Sequence, residues 1–247
     1  MTRSLFLADL PDPLPAAGSA YRLAGDEGRH ASVVRRIRAG EEILLADGSG
    51  RGVLCRTVGG DKQGLDLEVL DRLPDAPETL HLIAVQGLAK GDRGELAVEM
   101  LTEVGVAEIR PWQASRSIVK WVGERGEKSR AKWQATAREA TKQSRRLRVP
   151  LVGDTLTTRT LAALLAEVDL ALVLHEDATE SLSDIRVPTS GRVALVIGPE
   201  GGISREELDQ LTAAGARAVS ISDGVLRTST AGVVAAGHLL LRRDTSD

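Results

Sequence analysis

Aromatic residues make up only 2% of this 247-residue chain. A core built from a sequence that is 42% hydrophobic must therefore be aliphatic, packed from Leu, Val, Ile and Ala. Cysteine is almost absent. With Cys55 alone, no intrachain disulfide and no thiolate metal cluster within one chain can form. The four histidines (His30, His81, His175, His238) form no i, i+4 pair, so no metal site is expected. A reducing cytoplasm is the expected address. No apolar run approaches membrane-spanning length, so no membrane association is expected. Near the N-terminus LFLA is cut short by Asp9, Pro11, Asp12 and Pro13, before it reaches the length of a signal-peptide core. It reads as a strand followed by a loop. The net charge of −3 does not by itself point to nucleic acid; its distribution matters more.

What is present falls into two regions. Residues 1–73 read as short strands and turns: EILLA, GVLCRTV and LDLEVL form a β-meander suited to a small barrel. Before it, 26–38 reads as one helix with Asp26 as N-cap and Gly40 as its stop. Arg35, Arg36 and Arg38 at its C-terminal end fit two readings, compensation of the helix dipole or an edge facing phosphates. LPDAPET, at 73–79, reads as a linker.

From residue 78 onward strands and helices alternate. The strands LHLIAVQ, DLALVLHE, RVALVIG and ARAVSIS are apolar without alternation, which predicts a parallel sheet buried on both faces, hence an α/β domain. Helices are expected over 93–104, 129–146, 161–168, 204–214 and 230–243. In the first, Leu96, Met100, Leu101 and Val104 mark the apolar face and Gly105 the stop.

Two loops stand out. The first, IGPEGGIS, follows the apolar run VALV, and Ser204 with Glu207 forms a capping box behind it. It lacks both G-x-G-x-x-G and a Walker lysine, and Glu200 puts negative charge where a pyrophosphate would sit. A neutral or cationic ligand suits it better, or a structural tie from Glu200 to nearby N–H groups. The second, DGVLRTST, follows ARAVSIS and carries one cation, Arg227; Thr228 or Ser229 is placed to cap the last helix. In a parallel sheet both loops emerge where α/β proteins bind ligands.

Residues 116–148 hold eleven Lys and Arg against three Glu. Arg138, Lys142, Arg145 and Arg146 fall on one helical face, as a phosphate-binding stripe or a solvated surface. Trp121 and Trp133 fit either core packing or base stacking.

IGPEGGIS and VLRTSTA together, with RHASVVRRIRAGEEILLADGSG, KGDRGELAVEMLTEVGVAEIRPWQASRS and AREATKQSRRLRVP, resemble the RsmE family of SPOUT methyltransferases along nearly the whole chain. The resemblance implies S-adenosylmethionine (SAM)-dependent methylation of uridine N3 in 16S rRNA of the small ribosomal subunit. Other functional readings are a SPOUT ribose 2′-O-methyltransferase and a non-catalytic RNA-binding homologue. It also implies an α/β fold with a PUA-like, RNA-binding β-barrel over 1–73 and a SPOUT domain over 78–247, whose C-terminal chain ties a trefoil knot, in a homodimer. The last helix, AGVVAAGHLLL, is then either an interface or ordinary core.

Carried over, the cofactor residues are Leu174, His175, Ile197, Gly198, Glu200, Gly201, Gly202, Ile221, Ser222 and Leu226. Arg227 is the catalytic candidate, a cation beside the uracil anion; Glu200, Asp223 or solvent takes its proton. Arg3, Arg35, Arg36, Arg138, Lys142, Arg145 and Arg146 are the RNA-binding candidates. Two positions depart from the family pattern: Ser229 stands where LRTETA has glutamate, and Met100 where EKATELG has lysine.

Overall fold

A computed structural model describes residues 3–74 and 80–242. Most of the expected linker, at 75–79, and Arg243 lie outside the described residues. The chain divides into two units, Met1–Pro77 with Thr141–Val149, and Glu78–Ala140 with Pro150–Asp247.

In the first unit, β1 (Ser4–Leu7), β2 (Ala20–Leu23), β3 (Glu42–Ala46), β4 (Gly52–Asp61) and β5 (Gly64–Arg72) make a sheet of order β1-β3-β4-β5-β2. β3, β4 and β5 are the antiparallel meander, and β1 joins it parallel to β3. The inward residues of this sheet, among them Ile43, Leu45, Val53, Cys55, Leu67 and Val69, pack with Phe6 and Ala31 into an aliphatic core.

The helix expected over 26–38 is not continuous. α1 (Gly25–Arg29) passes into a π-helical turn at His30–Val34, and its N-cap is Ala24, which places Asp26 within the first turn. The chain leaves this turn at Arg36, whose φ is +54°, while Ile37 N–H bonds the Ala31 carbonyl at 3.1 Å. A left-handed residue with that six-residue bond is a helix stop of the kind glycine usually serves, here carried by arginine four residues before Gly40.

In the second unit, β6 (Leu80–Gly87), α2 (Arg93–Val104), β7 (Glu108–Gln113) and α3 (Gly123–Ser144) lead to the short strands β8 (Leu151–Val152) and β9 (Leu156–Thr157). α4 (Thr158–Leu165), β10 (Leu170–Leu174), β11 (Gly191–Ile197), α5 (Arg205–Ala213), β12 (Arg217–Val219) and α6 (Thr228–Arg242) complete it. The strands run parallel in the order β12-β10-β11-β6-β7-β8, with β9 also pairing with β7. Val173, Val196 and Val85 face one side, with Leu161 of α4 and Leu211 of α5. On the other side α6 crosses so close to β11 that a Cβ on Gly232 would stand 3.2 Å from Ile197 Cγ1. Both faces are covered, which explains why these strands show no alternation.

α2 has the expected bounds, with Gly105 in the left-handed region at φ +102°. Its buried face is made by Ala97, Val98 and Leu101, however, and Leu96 is exposed. α3 begins six residues before the expected start, and α6 begins at Thr228, so Thr228 is the first residue of the helix rather than its cap.

Candidate active site

The loops after β10, β11 and β12 leave the same edge of the sheet and enclose a cavity of about 400 Å³, within the size range of small-ligand sites. All ten residues expected to hold the cofactor line it, and so does Arg227. The remaining wall includes three charged side chains not anticipated there, Arg93, Arg116 and Glu176. Asp223, one of the carboxylates considered as a base, is not part of the wall, whereas Glu200 is.

The β11–α5 loop is held by close backbone approach. A Cβ on Gly87 would lie 2.5 Å from Pro199 N, and one on Gly201 would lie 2.9 Å from the Arg116 carbonyl oxygen. Neither position admits a side chain without a backbone shift. Gly202 sits at φ +72° and its N–H closes the turn onto Pro199 O at 2.9 Å. Arg116 Nη1 donates to the Gly201 carbonyl at 3.2 Å, and Lys90 N–H donates to Glu200 Oε1 at 3.1 Å. Glu200 therefore ties the loop to the segment after β6.

A buried polar relay secures the second loop. Thr228 Oγ1 donates to the Gly198 carbonyl at 2.6 Å and accepts from Gln86 Nε2 at 2.8 Å. The start of α6, the glycine loop and the end of β6 are thereby joined through one hydroxyl. Gln86 is fully buried at the end of an apolar strand. That misplaced polarity is the sequence signal that marks it.

Behind the loop, Ser204 and Glu207 form the expected reciprocal capping box on α5. Glu207 does more than cap. Its carboxylate accepts from Ser115 N–H (2.8 Å), Ser115 Oγ (2.7 Å), Thr158 Oγ1 (2.8 Å) and Ser204 N–H (3.2 Å). Burial pushes this carboxyl upward, but the donated hydrogen bonds outweigh it and hold it below the usual carboxylate range.

The expected RNA-binding residues do not form the predicted stripe. Lys142 is largely buried and pairs with Glu27 at 2.9 Å. α3 ends at Ser144, and Arg145 adopts φ +57°, so Arg145 and Arg146 do not continue its face. Arg138 and Arg145 are exposed. In the first unit, Arg3 pairs with Glu42 at 2.7 Å, Arg35 donates to Ser4 Oγ at 3.1 Å, and Arg36 is exposed. Lys132 and Arg130 pair with Glu95 and Glu127, each at 2.8 Å, which lowers the free positive charge of the segment further. Trp121 and Trp133 pack edge to face at 4.8 Å, with Trp133 buried, as the packing reading expected. Among the described residues no group of three or more His, Cys, Asp or Glu is placed to hold a metal, and no helix is long and apolar enough to cross a membrane.

A parallel α/β sheet with a glycine-walled cleft at its carboxyl edge is shared by many α/β proteins; what sets this chain apart is that the model of the RNA methyltransferase domain family matches residues 76–240. Relatives narrow the class. The chain is 45% identical over 230 residues to ribosomal RNA small subunit methyltransferase E of Mycobacterium bovis, covering 92% of this chain and 88% of that one. It is 28% identical to the Bacillus subtilis protein of the same name, over 85% of this chain and 86% of that one. The crystal structure of the Neisseria gonorrhoeae enzyme bound to SAM superposes with a TM-score of 0.84 at 28% identity, over 97% of this chain and 98% of that chain. The chain belongs to the ribosomal RNA small subunit methyltransferase E family.

Proposed function

We propose that this protein methylates N3 of a specific uridine in 16S rRNA of the small ribosomal subunit, with SAM as methyl donor. The observation that carries the proposal is convergence: the ten expected cofactor residues, scattered between 174 and 226, and Arg227 all line one cleft. The residues present suit SAM. Leu174, Ile197 and Leu226 supply apolar wall, the glycines bring backbone groups close, and Glu176 and Glu200 give negative charge to a cationic ligand. When bound, SAM supplies an electrophilic methyl group on a sulfonium.

The chain's own residues then have to ready the nucleophile. Uridine N3 must lose its proton, and the guanidinium of Arg227 favours the resulting imide anion electrostatically. Glu200 is the wall carboxylate nearest in role to a base: Oε1 is engaged by Lys90 N–H, and Oε2 has no hydrogen bond among the described residues. Ser229 and Met100, the two departures from the family pattern, are not among the residues of the cleft wall.

The same reading assigns 1–73 as a PUA-like RNA-binding barrel, 78–247 as a SPOUT domain with a C-terminal trefoil knot, and a cytoplasmic homodimer. Exposed Val234 and Leu241 on α6 support that helix as the dimer surface. The test has two arms. Mass spectrometry of small-subunit rRNA from a strain lacking the protein should show loss of one N3-methyluridine. Arg227→Ala should cut turnover by about 100-fold or more with little change in SAM affinity; undiminished turnover removes Arg227 from the chemistry.

A further inference from the structure

The cleft holds more positive charge than its cofactor uses. Its wall carries three guanidiniums, Arg93, Arg116 and Arg227, against two carboxylates, Glu176 and Glu200. Among the described residues, no carboxylate lies within ion-pair distance of any of the three guanidiniums. SAM brings a sulfonium and an ammonium against one carboxylate, so binding it adds to the positive excess. Arg227 has a transient anion to face, at the uracil. Arg93 has none, and Arg116 feels only the Glu206 carboxylate, at longer range than an ion pair.

We infer that Arg93 and Arg116 are positioning residues for the RNA backbone, each taking a phosphate of the target strand at the mouth of the methyl-transfer cleft. This deepens the proposed function and rests on its assignment of RNA as substrate. The placement of Arg116 suits the task. Its carbonyl and Cβ are pressed against Gly201, at 2.9 and 3.0 Å from where a Cβ would stand, and Nη1 is anchored on the Gly201 carbonyl. One N–H of the guanidinium is thus engaged and the rest of its donor fork is free and exposed. An arginine whose fork is held before binding loses less freedom on meeting a phosphate, and its planar geometry matches two phosphate oxygens. Arg93 opens α2 and reaches the same cavity without any bond to the glycine loop.

The two arginines therefore make a controlled pair. Arg116→Ala removes a charge and a loop tie, whereas Arg93→Ala removes a charge alone. The experiment uses the full chain, with SAM affinity measured by calorimetry and 16S rRNA affinity measured across a salt series, alongside methyl transfer. Each alanine variant should weaken RNA binding about tenfold at low salt. Each should also flatten the slope of log affinity against log salt by about 0.7–1. SAM affinity should stay within about twofold for Arg93→Ala, and Arg116→Lys should restore the slope while recovering only part of the affinity. Wild-type slopes in both alanine variants overturn the inference. So does a loss of SAM affinity in Arg93→Ala with the RNA slope intact, which would assign that guanidinium to the cofactor carboxylate. Failure of the proposed function looks different: the wild-type protein would transfer no methyl group to 16S rRNA, whatever the slopes.

Discussion

Thr228→Val is the sharpest test of how the cleft is held together, because valine keeps the shape of threonine and removes only the hydroxyl. That hydroxyl makes two bonds, donating to Gly198 O at 2.6 Å and accepting from Gln86 Nε2 at 2.8 Å. In the variant the Gln86 amide keeps one bond, to Gly87 O at 3.2 Å, and its Oε1 already has no partner. A buried polar group left without a partner costs about 1–3 kcal/mol. The Gly198 carbonyl is only partly buried and regains some of its loss from water. The total should be about 2–3 kcal/mol, a large share of the ~5–15 kcal/mol that holds a domain folded. Urea unfolding followed by tryptophan fluorescence reads this directly, since Trp112, Trp121 and Trp133 all lie in the unit that carries the cleft. The midpoint should fall with an unchanged m value. SAM affinity should weaken as well, because the Gly198 loop loses its anchor on α6. Gln86→Leu completes a double-mutant cycle in which the pair loses less than the sum of the singles by about 1 kcal/mol. A change below about 0.5 kcal/mol in Thr228→Val, or strict additivity, would show that the relay does not hold the loop.

Three further outcomes follow from the geometry. The Glu207 carboxyl titrates lower in the folded than in the unfolded chain, so its stabilisation is complete above the usual carboxylate value of 4.5 and drains away as pH falls through the folded value. Glu207→Gln should therefore cost about 1.5–3 kcal/mol at pH 7, and its difference from wild type should shrink in urea melts below about pH 4; a pH-independent difference would contradict this. Gly201→Ala forces a Cβ to within 2.9 Å of the Arg116 carbonyl and should destabilise by about 1–3 kcal/mol with loss of SAM binding, read by calorimetry. Burial pushes the Cys55 thiol up to about 11, so a thiol reagent at pH 8 should leave the native protein unmodified and react once it is unfolded in urea; rapid native labelling would refute the burial.

Much of this architecture was legible because local chemistry and tertiary need agreed. α2 was bounded by Gly105, although its expected apolar face shared only Leu101 with the buried one, and α5 by its capping box. The uninterrupted apolar runs marked strands that helices cover on both faces. Two of the misread helix ends, both C-terminal, share one cause. Both the π-helical turn and α3 are left through an arginine with positive φ, Arg36 at +54° and Arg145 at +57°. Sequence rules look for glycine there, since a Cβ is disfavoured in that region. They therefore carried the first helix on to Gly40 and the second through Arg146. The basic stripe lost Arg145 and Arg146 to that same stop, and Lys142 for a different reason. Helical spacing ranks neighbours in sequence, while Lys142 is claimed by Glu27, 115 positions away. No local pattern contains that pair.

The glycine loop brings the two kinds of information together. Its composition argued against a phosphate cradle, because Glu200 stands among the glycines, and offered a nearby N–H group as a partner for that side chain. The structure gives it one in Lys90 N–H. Glycines at 201 and 202 serve closeness and turn geometry: one lies against Arg116, the other takes a positive φ. The cationic groups of this cleft are side chains, Arg93, Arg116 and Arg227. In the proposed reading the loop is the wall for a small cationic ligand, and the guanidiniums set around it meet the polyanion. Arg116 belongs to both halves, since one end of its fork holds the loop and the other is free. A cationic cofactor and an anionic substrate can share so small a space only if their partners are separated in this way. A single phosphate-binding glycine loop would favour one of them at the expense of the other.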